Sequence, residues 1–137
     1  MEDRYLCKAK RADNGEWVQG YLIYSFTGVP IIVTEYDHIL MLITRYEVDP
    51  KTICQCTGLK DKNGKLIWEN DIVKDKNGNF YKAIWQNNYY QYCWVCIKSN
   101  IELFVGGKRD LWSVVENLEI EVIGNIFDNP DLLESEE

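Results

Sequence analysis

Hydrophobic and polar positions alternate over short stretches of this chain, and turn-forming residues separate those stretches. Residues 118–122 alternate apolar and acidic side chains, which is typical of a strand with one solvated face. Residues 29–34 and 89–98 are rich in the β-branched and aromatic residues that favour strands. The pattern therefore predicts a chain built mainly of short β-strands.

Asn-Gly dipeptides mark three of the separating turns, at residues 14–15, 63–64 and 77–78. Asn-Gly supplies the two positive-φ positions of a type I′ turn, whose twist matches that of the flanking strands. The sequence thus predicts three β-hairpins that are closed by type I′ turns.

Short strands joined by tight turns predict a mainly β protein with small barrels or a sandwich. Gly124 is expected to break or bulge the last strand. Beyond it, Asn129 and Pro130 are typical of a helix start and predict a short C-terminal helix. Residues 36–46 fit either a strand or a short helix. A boundary is predicted near residues 49–50, because proline interrupts a strand ladder there and the charge balance changes just after it.

The composition is that of an ordinary globular protein, with 46% apolar and 27% charged residues. Five Trp, nine Tyr and four Phe are too many for a disordered chain. The formal net charge is −7, but residues 58–115 are mildly basic and residues 116–137 carry acidic groups without basic ones. We interpret the acidic end as a solvated face, and a surface that repels nucleic acid or mimics its phosphates is the alternative.

The longest apolar run, residues 39–43, is far shorter than the roughly 20 residues of a membrane-spanning helix. The N-terminus lacks the long apolar core of a signal peptide. We therefore expect a cytoplasmic protein without membrane association, whose five cysteines are reduced.

Two cysteine pairs, Cys54 with Cys56 and Cys93 with Cys96, supply the four thiolates that a zinc site requires. Strand-forming residues between Cys93 and Cys96 would point these two thiols to opposite faces, so we predict buried thiols and no metal. Two Asp-Lys-Asn-Gly segments begin like calcium loops, but their glycine falls at the fourth position instead of the sixth. They are interpreted as turns.

The sequence contains few features that indicate a catalytic site. The chain has one histidine, His38, which lies at a predicted turn or strand start and is interpreted as structural. It contains neither a Gly-x-Ser-x-Gly nucleophile motif nor a phosphate-binding loop. We therefore expect a protein that is not an enzyme and that needs no cofactor.

Aromatic side chains are concentrated in residues 80–94. Aromatic residues on a sheet can stack unpaired nucleic-acid bases, but such surfaces normally lie among Lys and Arg, and only Lys82 lies inside this segment. Packing in the core and at a protein interface is the favoured interpretation, and base stacking is the alternative.

Four segments together carry a resemblance to a known family: residues 9–21, 46–52, 57–73 and 121–133. The longest reads Thr-Gly-Leu-Lys-Asp-Lys-Asn-Gly-Lys-Leu-Ile-Trp-Glu-Asn-Asp-Ile-Val. With these segments in this order, the chain resembles the YopX family of small phage and prophage proteins over nearly its whole length. Asn70 stands where the family is expected to have glycine, and asparagine also tolerates a positive φ. The cysteine pairs are not part of the family pattern.

The resemblance implies a small N-terminal β subdomain, residues 1–52, and a C-terminal SH3-like β-barrel with a short terminal helix, residues 53–137. It brings no catalytic residues, because no activity is established for the family. It also implies a phage or prophage origin, and hence a bacterial host cell as the place of action.

We expect a non-enzymatic accessory protein that binds a host or phage protein and that is also able to self-associate. Trp and Tyr dominate binding hot spots, so the predicted contacts are Trp68, Tyr89, Tyr90 and Trp112. The alternative is a nucleic-acid-binding module, which is less favoured. It would use the lysines of the two Asp-Lys-Asn-Gly hairpins with neighbouring aromatic residues: Lys60, Lys62, Lys65, Lys74 and Lys76.

Overall fold

A computed structural model describes residues 5–86, 91–98, 108–110 and 119–133 of the chain. Most of these residues lie in β-strands, which confirms a mainly β protein. The strands are β1 (Cys7–Lys10), β2 (Trp17–Tyr24), β3 (Pro30–Asp37), β4 (Leu42–Glu47), β5 (Cys54–Lys60), β6 (Leu66–Trp68), β7 (Asp71–Lys74), β8 (Phe80–Gln86), β9 (Gln91–Lys98), β10 (Lys108–Asp110) and β11 (Glu121–Asn125).

The chain divides into two compact units, residues 1–56 and residues 57–137, and strand β5 runs across the division. The boundary predicted between residues 52 and 53 lies a few residues closer to the N-terminus. A single 3₁₀ turn, Pro50–Thr52, precedes β5, and the Asp49 side chain caps it by accepting a hydrogen bond from the Lys51 N–H.

In the first unit, β4, β3, β2, β1 and the start of β5 form an antiparallel sheet in that order. One face of this sheet is the core, where Ala9, Ile32 and Val48 are fully or almost fully buried. Residues 36–46, which fit two kinds of element, are the end of β3, a loop and most of β4. The chain after β4 returns to the end of β1 through a bridge between Arg11 and Val48.

Two predicted hairpins, at Asp61–Lys65 and Asp75–Asn79, have the same loop geometry. In each loop the glycine N–H donates to the carbonyl oxygen of the aspartate three residues earlier, at 3.0 Å and 3.2 Å. A positive φ occurs at Gly64 and Gly78 but not at the preceding asparagine, so the type I′ prediction is wrong. The loops are type I turns followed by a left-handed glycine, because three-residue hairpin loops match the strand twist in this way.

Two hairpins of the first unit follow similar rules. The predicted turn at residues 13–15 also has its positive φ at Gly15 alone, again in place of a type I′ turn. The loop at residues 25–29 has the same geometry as the loops that begin at Asp61 and Asp75. No turn was predicted there. There the Ser25 hydroxyl takes the place of the aspartate and accepts a hydrogen bond from the Val29 N–H.

In the second unit, β10, β9, β8, β7 and β11 form a five-stranded antiparallel sheet in that order, and β6 lies beside the end of β5. The core of the unit includes Ile67, Val73, Tyr81, Trp94 and Ile120. Both of these sheets are open at their ends within the described residues, without a closed barrel.

Two predictions concern the C-terminal segment. The pairing of β11 with β7 shifts between Val122 and Gly124, which confirms the expected irregularity at the glycine. A single 3₁₀ turn, Pro130–Leu133, stands where a short helix was expected. Within the described ranges, the structure contains no helix that is long and apolar enough to cross a membrane.

Candidate functional site

The structure describes one of the four predicted contact residues, Trp68. Trp68 is only 5% exposed at the end of β6, so it offers a partner almost no area. Tyr89, Tyr90 and Trp112 lie outside the described residues.

The aromatic segment divides between interior and surface. Tyr81 and Trp94 are core residues of the second unit, whereas Trp85 is 41% exposed. The ring of Trp85 meets that of Tyr92 edge to face, with 5.0 Å between the ring centroids. Tyr81 and Trp85 lie four positions apart on β8 and therefore on the same face of the sheet. Trp85 is more exposed because it stands near the end of the strand.

The five lysines of the nucleic-acid alternative are all exposed: Lys60, Lys62, Lys65, Lys74 and Lys76. An acidic residue nevertheless lies among them. The Glu121 carboxylate is 3.8 Å from the Lys62 amine, and Glu121 is directly opposite Lys74 in the pairing of β11 with β7. This neighbour lowers the positive potential of the set and counts against it as a phosphate-binding surface.

Four of the five cysteines are buried, as the sequence predicted: Cys54, Cys56, Cys93 and Cys96. Over the ranges that the structure describes, no group of three or more His, Cys, Asp or Glu is placed to hold a metal ion. The buried Asp61 and Asp75 carboxylates are engaged by N–H donors of their own loops. These aspartates therefore act as hairpin anchors, in agreement with the interpretation of both segments as turns.

A group of exposed apolar side chains lies at the end of the β3–β4 hairpin. We call it the hairpin tip, and its residues are between 51% and 81% exposed: Tyr36, Ile39, Leu40, Met41, Leu42 and Ile43. Tyr36 and Ile43 face each other across the two strands, and residues 38–41 form the connecting loop. Exposed apolar side chains concentrated in one short segment are typical of an interaction surface.

Local hydrogen bonds hold the hairpin tip in one conformation. The Asp37 carboxylate accepts hydrogen bonds from the N–H groups of Ile39 at 3.0 Å and Leu40 at 3.1 Å. Met41 adopts a left-handed conformation with φ of 57°, and its sulfur accepts a hydrogen bond from the Tyr36 hydroxyl at 3.4 Å. A preorganised loop loses less conformational entropy when it binds, so these contacts favour recognition.

Acidic side chains flank the hairpin tip on β3. Glu35 and Asp37 are both exposed, and Arg45 is the exposed basic residue of the neighbouring β4. His38 lies on the exposed loop. Sequence reasoning registered residues 39–43 as the longest apolar run, but an uninterrupted apolar run is more often buried. Only the hairpin geometry reveals that this run is exposed.

The family model described as YopX protein matches residues 9–134. No curated protein matches the chain.

Proposed function

The chain belongs to the YopX protein family, and from this premise we propose that it is a phage- or prophage-encoded accessory protein of the bacterial cytoplasm. It acts without catalysis, by binding a host or phage protein through the hairpin tip. The partner presents an apolar groove with basic residues at its rim. Such a rim would complement Glu35 and Asp37, which flank the apolar residues of the tip.

The exposure of the hairpin tip is the observation that supports this proposal. Ile39 is 81% exposed and Leu40 is 64% exposed, although both are side chains that gain from leaving water. Complete burial of such a side chain contributes about 1.5–3 kcal/mol. Two or three of them in a partner's groove are sufficient for the centre of a binding hot spot.

The proposal also includes the fold of the second unit. Its short antiparallel strands, joined by tight turns, support an SH3-like arrangement that is followed by the 3₁₀ turn Pro130–Leu133. SH3-like domains occur with many functions, so this assignment carries no activity by itself.

The test is affinity capture from a lysate of phage-infected bacteria with the full chain as bait, before and after nuclease treatment. The test variant combines Ile39→Ser with Leu40→Ser. The matched control is Phe26→Ser, since Phe26 is a fully exposed aromatic residue on a different loop of the same unit. We expect one protein to be retained by the wild type and by the control, to survive nuclease and to be lost with the tip variant.

Two results would contradict the proposal. Equal capture by the tip variant and the wild type would show that the hairpin tip is not the binding surface. Capture that disappears with nuclease would show that nucleic acid, and not a protein contact, holds the recovered material. Thermal unfolding of each variant confirms that a lost interaction does not reflect a lost fold.

A further inference from the structure

Strand pairing brings three lysines from three neighbouring strands to one face of the five-stranded sheet. In one row across the sheet, Lys74 of β7 lies opposite Phe80 of β8, and Phe80 lies opposite Lys98 of β9. In the next row, Lys82 lies opposite both Ile72 and Val95. Directly paired residues share a face, and so do residues two positions apart in a strand. Lys74, Phe80 and Lys82 therefore share a face. The register of β8 with β9 shifts between Phe80 and Tyr81, and at this irregularity the Lys98 amine contacts the Phe80 ring. We call the surface formed by Lys74, Phe80, Lys82 and Lys98 the lysine face.

One lysine side chain of the lysine face contacts an aromatic ring. The Lys98 amine lies 5.3 Å from the centroid of the Phe80 ring. Lys74 is exposed, and Phe80, Lys82 and Lys98 are partly exposed. Neighbouring strands are about 4.8 Å apart, so the backbones of Lys74 and Lys98 lie on the order of 10 Å apart, with Phe80 between them. Positive charges thus flank an accessible aromatic surface.

We propose that the lysine face binds single-stranded nucleic acid. The lysine amines would contact successive phosphates, and an unpaired base would stack on Phe80. This combination of a cationic track and an aromatic platform is the one that single-strand-binding proteins use. A duplex would not suit the surface equally well, because its bases are already stacked on one another and the ring of Phe80 would contribute nothing.

The overall charge of −7 does not oppose this assignment at physiological salt. At about 0.15 M salt the Debye length is roughly 8 Å, so only charges near the lysine face act strongly on a bound strand. Glu121 is the acidic residue directly opposite Lys74, and its carboxylate is 3.8 Å from the Lys62 amine. Its negative charge opposes binding at the edge of the lysine face, so a variant without this charge tests the proposal.

The experiment measures the fluorescence anisotropy of a labelled oligothymidylate of about 12 nucleotides, titrated with the full chain at several salt concentrations. For single strands, a plot of the logarithm of the binding constant against the logarithm of the salt concentration has a slope of about −0.7 for each phosphate contact. Each contact that is removed therefore makes the slope less steep by about 0.7. Lys74→Gln should therefore weaken binding and flatten the slope by about 0.7. Lys51→Gln is the matched control, since Lys51 is an exposed lysine of the first unit.

Two further variants separate stacking from charge. Phe80→Leu removes the aromatic ring and keeps every lysine, so it should weaken binding roughly tenfold with an unchanged salt slope. Glu121→Gln removes the opposing charge and should strengthen binding. Unfolding would not increase the affinity. A gain of affinity by Glu121→Gln therefore separates the effect of charge from destabilisation of the sheet.

The proposal is overturned if the wild type does not bind the oligonucleotide at low salt, or if Lys74→Gln behaves like Lys51→Gln. Equal affinity for the matching duplex, or an unchanged affinity of Phe80→Leu, would exclude recognition of an unpaired base. The hairpin-tip variant should bind the oligonucleotide normally, because that surface lies on the other unit. The outcome of this experiment is therefore independent of the protein-binding proposal.

Discussion

The Asp61 carboxylate accepts a hydrogen bond from the backbone N–H of Val122 at 2.9 Å, although 61 residues separate them in sequence. Its other oxygen accepts from the N–H groups of Asn63 and Lys65 in its own hairpin loop, both at 2.9 Å. The side chain is 7% exposed. One carboxylate therefore closes a hairpin and fixes the start of β11 at the same time.

Asp61→Asn should lower the free energy of unfolding by about 1–3 kcal/mol. The amide oxygen preserves the two bonds within the loop, but the amide nitrogen then faces the Val122 N–H, which places two donors against each other. Urea denaturation of the variant and the wild type measures the difference. Equal midpoints would show that the bond to Val122 adds nothing to stability.

Asp75→Asn is the matched comparison and should cost less. Asp75 anchors the equivalent loop, but its second oxygen accepts from the Tyr81 hydroxyl at 3.1 Å and the Asn79 side-chain amide at 3.2 Å. A hydroxyl can accept as well as donate, and an amide can turn over, so both partners adapt to the new amide. A loss larger than that of Asp61→Asn would contradict this reasoning.

Gly20→Ala should destabilise the first unit by about 1–3 kcal/mol. An added Cβ would overlap the backbone carbonyl oxygen of Val33 on the neighbouring β3 and would lie 3.2 Å from the Ile32 side chain. A strand backbone cannot move aside as a flexible side chain can. Thermal unfolding checks the effect, and Gln19→Ala, at the exposed neighbouring position of β2, should leave the midpoint almost unchanged.

Asn70→Ala should be more destabilising than Asn70→Gly. Asn70 has a φ of 71°, which confirms that asparagine occupies a left-handed position where the family is expected to have glycine. The left-handed conformation costs a residue with a Cβ roughly 1–2 kcal/mol, a cost that glycine avoids. Denaturant midpoints of the two variants measure which one is less stable. If glycine proved as harmful as alanine, contacts of the asparagine side chain, and not backbone strain, would explain the position.

The Asp13 carboxyl should titrate below its usual value of 3.8, because hydrogen bonds from the Arg11 guanidinium hold its pKa down. A lowered pKa in the folded state means that the pair stabilises the fold above the ordinary pKa. That contribution disappears as the pH falls through the lowered pKa. Carbon-detected NMR titration measures the pKa directly. Arg11→Gln should raise it, whereas Lys51→Gln should leave it unchanged.

The positions of the hairpins followed from local sequence, but their turn type did not. Asn-Gly at residues 63–64 and 77–78 correctly marked two turns, because only a few residue types tolerate such tight reversals. The aspartate before each turn captures the loop N–H groups with its side chain, and this favours a longer loop with a left-handed glycine. A dipeptide rule does not include that competing interaction.

The sequence by itself determined the strand-rich class, the family, the burial of four cysteines and the left-handed residue at position 70. Each of these depends on local propensity or on a motif that stays the same wherever the strand pairs. Tertiary structure alone decided that residues 39–43 are exposed, that Asp61 reaches Val122 and that Lys74, Phe80 and Lys98 share a row. These relationships depend on strand register, and a shift of one residue would turn every side chain to the other face.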